Sequence, residues 1–499
     1  MQLERPLNSL LLSLSLAIVG ISAQAEAPKP SATDNLLFRV QFAGTTALTA
    51  NTNATYLTNF VHLPETAALG TQLVAQVSTL PARFLGIAPT NSKSKILQPL
   101  LADMLRAGFA LELRGSASGV TEFALATKAT NTAARWDDAW RDAGNGALSV
   151  RRTNGWTFVA GSKSNAVAAL SALVGLQRTV TDLNLTAGNA LQVELASSLG
   201  PGPIQRSVYG GFSRLKLSVT PADETLKIRG TATYAKDLPK LGPPPVVPAD
   251  LVTEPAISFT MVREPGAWLE PNSSIRRFLP NPVPDTAFFW GSQSSPYQMF
   301  MAIPFAGRDR FNTNFGPLLR DQLHQVAKRI DSGSVTLDTN QAMIKMQTVP
   351  FIDPKVRVRE SGTNTFLVAE TFPAGDFPPG LTPALIERIS GRTNLVLYDW
   401  EFTQLRFDTW FRLGQLALFT SGHQQHVGST ASLKWILASQ INLAGSQNTS
   451  TEITQTGPRE LSLSRRAPIA FTSTELFWLA NWLESTNFPA ANFLMPMAE

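Results

Sequence analysis

The chain has 499 residues, 43% hydrophobic and 16% charged, which excludes a disordered protein and leaves room for a large core in two or three domains. It contains 0 cysteines, so disulfides, thiol nucleophiles, thiolate metal sites and a lipid-anchored cysteine are all excluded. The net charge of +5 is spread thinly, with no long basic run and no basic tail, so no nucleic-acid partner is expected.

Taken in chain order, the first element is an address. Arg5 makes the start basic, residues 10–21 are almost purely apolar, and Ala23-Gln24-Ala25 offers small residues at a cleavage site. That is the anatomy of a secretory signal peptide over residues 1–25, with a mature chain from Glu26 in the periplasm or outside the cell. The apolar run is shorter than the roughly 20 residues a spanning helix needs. Later apolar stretches, 166–176 and 476–483, are also short, so no integral membrane segment is expected in the mature chain.

Residues 35–42 (NLLFRVQF) read as a strand, and 68–84 and 95–105 as helices. In the second helix Leu97, Leu100, Leu101 and Met104 recur at helical spacing and predict a buried stripe. Residues 109–114 and 121–128 form a hairpin around a Gly/Ser turn. A helix over 135–142 carries Trp136 and Trp140 one turn apart. A second hairpin, 148–152 with 156–160, turns at Asn154-Gly155, where both residues tolerate positive φ. A helix over 165–176 and a hairpin of 214–220 with 225–234 follow. Residues 238–248 (LPKLGPPPVVP) hold three consecutive prolines, which suit neither a central strand nor a helix interior. They read either as a linker between domains or as a proline-rich loop crossing one large domain. The division taken is a signal peptide 1–25, an α+β domain 26–238, a linker 239–248 and an α+β domain 249–499. Beyond it, strands are expected at 256–262, 394–401, 461–463 and 469–471, and a helix at 473–483, capped by Thr472 or Ser473 with Glu475 in its first turn.

Because most neighbouring strands are joined by hairpins, the expected fold is α+β, with antiparallel sheets covered by helices in partly repeated units. The repeats rest on three matches. Residues 148–152 align with 461–465, 35–38 with 394–397, and 285–290 supply a weaker third start.

Catalytic signatures are absent: there is no G-x-S-x-G, H-E-x-x-H, Walker A loop or Rossmann fingerprint. Ser92-x-x-Lys95 matches a serine–lysine pattern but reads as a helix cap. His423 and His426 stand three apart between glycines, a polar turn rather than half of a zinc site, so neither metal nor cofactor is expected. Asp399 and Glu401 flank Trp400 and would share one strand face about 6.6 Å apart. Paired carboxylates beside an aromatic suit glycoside hydrolysis, but one acidic strand face is the ordinary explanation. Trp136/Trp140 and Trp478/Trp482 read as core-facing helix residues.

The segments 394–401 (NLVLYDWE) and 467–489 (APIAFTSTELFWLANWLESTNFP) resemble uncharacterised exported proteins of Gram-negative bacteria. The resemblance implies export and architecture, and carries no activity or functional residue with it. Together these readings favour an exported protein with a non-catalytic binding or structural role, engaging a protein or macromolecular partner. The rival is a hydrolase of cell-envelope or polysaccharide material, with carboxylates gathered by folding. A deep cleft lined by paired carboxylates would favour the enzyme, and a broad groove without titratable pairs would favour binding.

Overall fold

Alternation of apolar and polar residues builds several of this chain's strands, as the burial patterns of 212–222 and 460–467 show. The computed structural model describes residues 36–479 except 50–54, 87–90, 117–118, 129–133, 144–146, 182–188, 197–206, 253–255, 270–272, 294–297, 330–333, 348–353, 372–379, 421–430, 444 and 477–478. The strands are β1 (Leu36–Phe42), β2 (Phe109–Ser116), β3 (Gly119–Lys128), β4 (Ser149–Thr153), β5 (Trp156–Ser162), β6 (Leu191–Ala196), β7 (Phe212–Ala222), β8 (Thr225–Tyr234), β9 (Ala256–Arg263), β10 (Thr286–Ser292), β11 (Met299–Pro304), β12 (Ser334–Asp338), β13 (Met343–Gln347), β14 (Lys355–Ser361), β15 (Asn364–Glu370), β16 (Leu395–Glu401), β17 (Thr449–Gly457) and β18 (Glu460–Ala467). Helices of seven or more residues, among the described ones, are α1 (Thr55–His62), α2 (Pro64–Val77), α3 (Asn91–Ala107), α4 (Ala134–Ala143), α5 (Ala166–Thr181), α6 (Gly316–Arg329), α7 (Pro383–Ile389), α8 (Thr403–Thr420) and α9 (Ala431–Asn442).

All the strands join one 18-stranded sheet. Every pairing is antiparallel, and the spatial order is β4-β5-β3-β2-β1-β6-β7-β8-β18-β17-β16-β9-β10-β11-β15-β14-β13-β12. The seam between the halves is the β8–β18 ladder, which runs from Glu460 opposite Thr233 to Ala467 opposite Leu226. This overturns the expected α+β fold of several antiparallel sheets covered by helices. The architecture is one strand-dominated sheet, and among the described residues nothing covers its polar face over β1, β6, β7, β8 and β18. The residue matches taken as repeats also fall on strands with different neighbours, since 148–152 lies in the β4 region at one end and 461–465 in β18 at the seam. Neighbour order is nonetheless the same outward from the seam on both sides. It reads β8-β7-β6-β1-β2-β3-β5-β4 on one side and β18-β17-β16-β9-β10-β11-β15-β14 on the other.

Local expectations fared better. Both N-terminal hairpins form, and the second turns at Asn154 and Gly155, with φ of 51° and 75°. The helix expected over 95–105 lies within α3, and its stripe Leu97, Leu100, Leu101 and Met104 is buried against Phe123, Leu125 and Trp140. The helix expected over 68–84 starts earlier, at Pro64, and gives way after Val77 to a separate helix, Leu80–Phe84. Residues 469–471 form no strand: Ala470 sits at φ 71° as the chain bends toward a helical turn at 473–476, and β18 pairs with β17 and β8 instead. Residues 238–248 contain no helix or strand, and Leu238, Pro245 and Pro248 are buried.

Where the sheet is amphipathic, its apolar face makes the central core. Leu195, Leu215, Leu217, Ile228, Leu397, Ile453, Leu461 and Leu463 gather there across both halves. Burying this much apolar surface, at about 25 cal/mol per Å², is what holds a cysteine-free chain together. Strand β9 is buried at every position, because Phe259 and Met261 pack with Phe288 and Tyr398 on one side and Val262 faces the central core on the other. Helix α5 lays Ala169, Ala172 and Leu173 on the small side chains Ala110, Ala124, Ala126 and Ala160 of the N-terminal half.

Candidate functional site

The one carboxylate pair singled out from sequence is brought to a single sheet face. Asp399 lies opposite Thr260 of β9 and Thr451 of β17, and Glu401 lies opposite Ser258 and Thr449. Thr260 Oγ1 donates to Asp399 Oδ1 at 2.6 Å. Both oxygens of Glu401 are occupied, by the Ser473 backbone N–H at 2.7 Å and its hydroxyl at 2.8 Å. Two buried guanidinium groups complete the cluster. Arg406, near the start of α8, donates to Ser258 Oγ, and Gly291 on the neighbouring strand leaves room for it, since a Cβ there would come within 2.6 Å of Arg406 Nη1. Arg465 holds Glu475 with two hydrogen bonds, at 2.6 and 2.9 Å, and donates to Thr451 Oγ1 at 2.9 Å. Glu475 in turn accepts from the Thr472 N–H at 2.9 Å, while Thr472 Oγ1 accepts from the Glu475 N–H at 3.2 Å. This is a capping box, and it makes Thr472 rather than Ser473 the cap.

Burial sets the electrostatics. Desolvation raises the Asp399 carboxyl, against the pull of Thr260 and the two arginines. Glu401 is pushed up to about 7, by desolvation first and then by the charge of Asp399. Desolvation lowers Arg406. Desolvation works the same way on Arg465, but the Glu475 carboxylate, with Asp399 and Glu401, more than offsets it and the group ends raised. Glu401 is 3% exposed, with both oxygens committed to the strand–helix junction. Glu401 thus clamps Ser473 to β16, while Asp399 beside it is half-buried and held by Thr260.

The open feature lies on the opposite side of the sheet. Each of five adjacent strands there contributes two alternate polar residues, and the ladders bring them into two rows. One row runs Arg39, Glu194, Lys216, Thr231, Ser462, and the other Gln41, Gln192, Ser218, Arg229, Ser464. These ten line a depression of about 580 Å³ that crosses the seam between the halves. At the usual strand spacing, five strands make a tract roughly 19 Å long. Arg39 is fixed by fully buried Glu112 at 2.8 Å and by Glu194 at 3.2 Å, and Arg114 closes on the other Glu112 oxygen at 2.7 Å. Arg214 also reaches Glu194, at 2.6 Å. Lys216 Nζ stands 3.7 Å from Glu194 and is exposed, as is Arg229. Gln41 is 6% exposed, and its Oε1 has no hydrogen-bond partner. Buried carbonyl oxygens are seldom left so, which marks a position where a donor from outside fits.

Of the other residues named from sequence, Trp140 is in the core as expected. His423, His426, Trp478, Trp482 and residues 1–25 lie outside the described residues, as do the side chains of Ser92 and Trp136. Among the described residues no group of His, Asp and Glu could hold a metal ion, and no helix is long and apolar enough to cross a membrane. The groove residues were missed because no two neighbours across the tract are close in sequence except within the β7–β8 hairpin. The available signal was the alternation itself, as in Arg39-Val40-Gln41 and Lys216-Leu217-Ser218, which reads locally as solvent-facing positions.

No protein-family model and no curated protein matches the chain. Among solved structures, crystal form III of TP0453 is similar at 9% identity, with a TM-score of 0.21, over 45% of this chain and 81% of that one. A superposition at that level says nothing about fold or function.

Proposed function

We propose that this is an exported, non-catalytic binding protein, acting in the periplasm or outside the cell, whose ligand lies across the open polar face of β1, β6, β7, β8 and β18. The observation that carries the reading is that face itself, a broad groove with an unpartnered buried Gln41 oxygen, set against a Glu401 carboxylate whose two oxygens are taken up at a strand–helix junction. Ligand sites are concave and place a few polar groups convergently, and this tract does both. Export rests on the basic start, apolar run and Ala-Gln-Ala ending of residues 1–25.

Two measurements test the reading. N-terminal sequencing of the exported chain is expected to begin at Glu26, and an intact Met1 would refute export with cleavage. The mature protein is expected to be retained on an immobilised cell-envelope polysaccharide extract without releasing reducing ends. The double variant Ser218→Trp/Ser462→Trp, which fills the groove from two strands, should abolish retention at an unchanged denaturation midpoint. Reducing ends that appear with the parent and vanish with Asp399→Asn would establish the hydrolase instead.

A further inference from the structure

The geometry points to an acidic oligosaccharide as the ligand of this groove, an inference that rests on the binding reading above. Three cations, Arg39, Lys216 and Arg229, face one carboxylate, Glu194, so the tract has an excess of positive charge. Arg39 and Glu194 hold each other, whereas among the described residues the Arg229 guanidinium has no partner. A ligand that brings anionic groups therefore meets Arg229, and Lys216 on the adjacent strand, its diagonal neighbour at roughly 7–8 Å. The remaining positions are amides and hydroxyls, and the unpaired oxygen of Gln41 can only accept, so it asks for a donor such as a sugar hydroxyl. A chain that carries both anions and hydroxyl donors satisfies the whole tract.

Other polyanions fit less well. Among the described residues no aromatic side chain lines the groove, so nucleobases find no stacking platform there. An acidic peptide would bind best by pairing its backbone with a sheet edge. The groove instead lies on the face of strands already paired on both sides, β1 between β2 and β6, and β8 between β7 and β18. A length of roughly 19 Å and a volume of about 580 Å³ accommodate several linked units rather than a single ion.

The test is calorimetric titration of the mature chain with hexagalacturonate, pentamannose 6-phosphate, neutral maltohexaose and polyglutamate. Binding of either acidic sugar is expected, and the two arms separate carboxylate from phosphate. Arg229→Ser with Lys216→Ser should weaken it at least tenfold and reduce its salt dependence. Gln41→Leu should weaken it several-fold and leave the salt dependence unchanged, which a merely structural role for Gln41 would not do. Maltohexaose binding as tightly, or polyglutamate binding as tightly and losing equally in the Arg229/Lys216 variant, would overturn the inference. If neither acidic sugar binds while the Ser218→Trp/Ser462→Trp variant still loses retention on the envelope extract, the ligand class is wrong and the binding reading stands. If groove-dependent retention is absent as well, both fail.

Discussion

Replacing Arg465 with methionine is expected to lower the unfolding free energy by about 3–5 kcal/mol, the cost of leaving a buried charge without its partner. Methionine fills similar space, so the loss reports charge rather than a void. The side chains of Arg465 and Glu475 are 3% and 1% exposed, and two hydrogen bonds join them. Without the guanidinium, Glu475 keeps only the Thr472 N–H, and Asp399 loses one of its two compensating cations. Combining Arg465→Met with Glu475→Gln removes the stranded charge while keeping an acceptor for Thr472, so most of the loss should return. Urea denaturation measures both, and a single-variant loss below about 1 kcal/mol would show the pair to be solvated.

Glu401 is expected to make the fold less stable as pH rises from 5 to 8. Its carboxyl titrates near 7 in the folded chain against an ordinary 4.5. Between those values the folded chain holds a proton that the unfolded chain has released. Stability from this group is therefore complete below about pH 4.5 and is lost as pH climbs through 7, a swing of roughly 3 kcal/mol. Glu401→Gln keeps the shape and an acceptor for the Ser473 N–H but cannot ionise. Relative to the parent, it should gain stability across that window, with Asp399 and Arg406 left facing a neutral group. Denaturation curves at several pH values decide the matter: parallel pH profiles for parent and variant would show that Glu401 does not titrate there.

What could be read from the chain beforehand was whatever short-range chemistry determines. Asn154-Gly155 turns a hairpin because both residues accept positive φ, and Leu97 to Met104 bury because their spacing matches a helix turn. The helix start at Thr472–Glu475 and the shared face of Asp399 and Glu401 follow from fixed periods in the same way. The sheet as a whole was not legible, because its joining ladders, β1–β6, β9–β16 and β8–β18, link residues far apart. The strand expected at 256–262 forms as β9, but its burial on both faces leaves no alternation to show its place in the sheet, and 469–471 forms no strand because the chain turns at Ala470. The groove follows the same logic. Each strand showed its polar side, but only the pairing order makes Arg39, Lys216 and Arg229 a single surface.

The seam also sets an order of events during synthesis. The first eight strands in sequence end at Tyr234 with β8 on their outer edge, and its partner β18 begins at Glu460. At about 5–20 residues per second, making the stretch between them takes roughly 10–45 s. Through that interval β8 offers an unpaired row of backbone donors and acceptors above an apolar face, the kind of edge on which copies of a chain join one another. Among the described strands, the last to be made is thus the one that covers this edge. A ribosome stalled before β18 would leave that edge unpaired, however well the first half had folded.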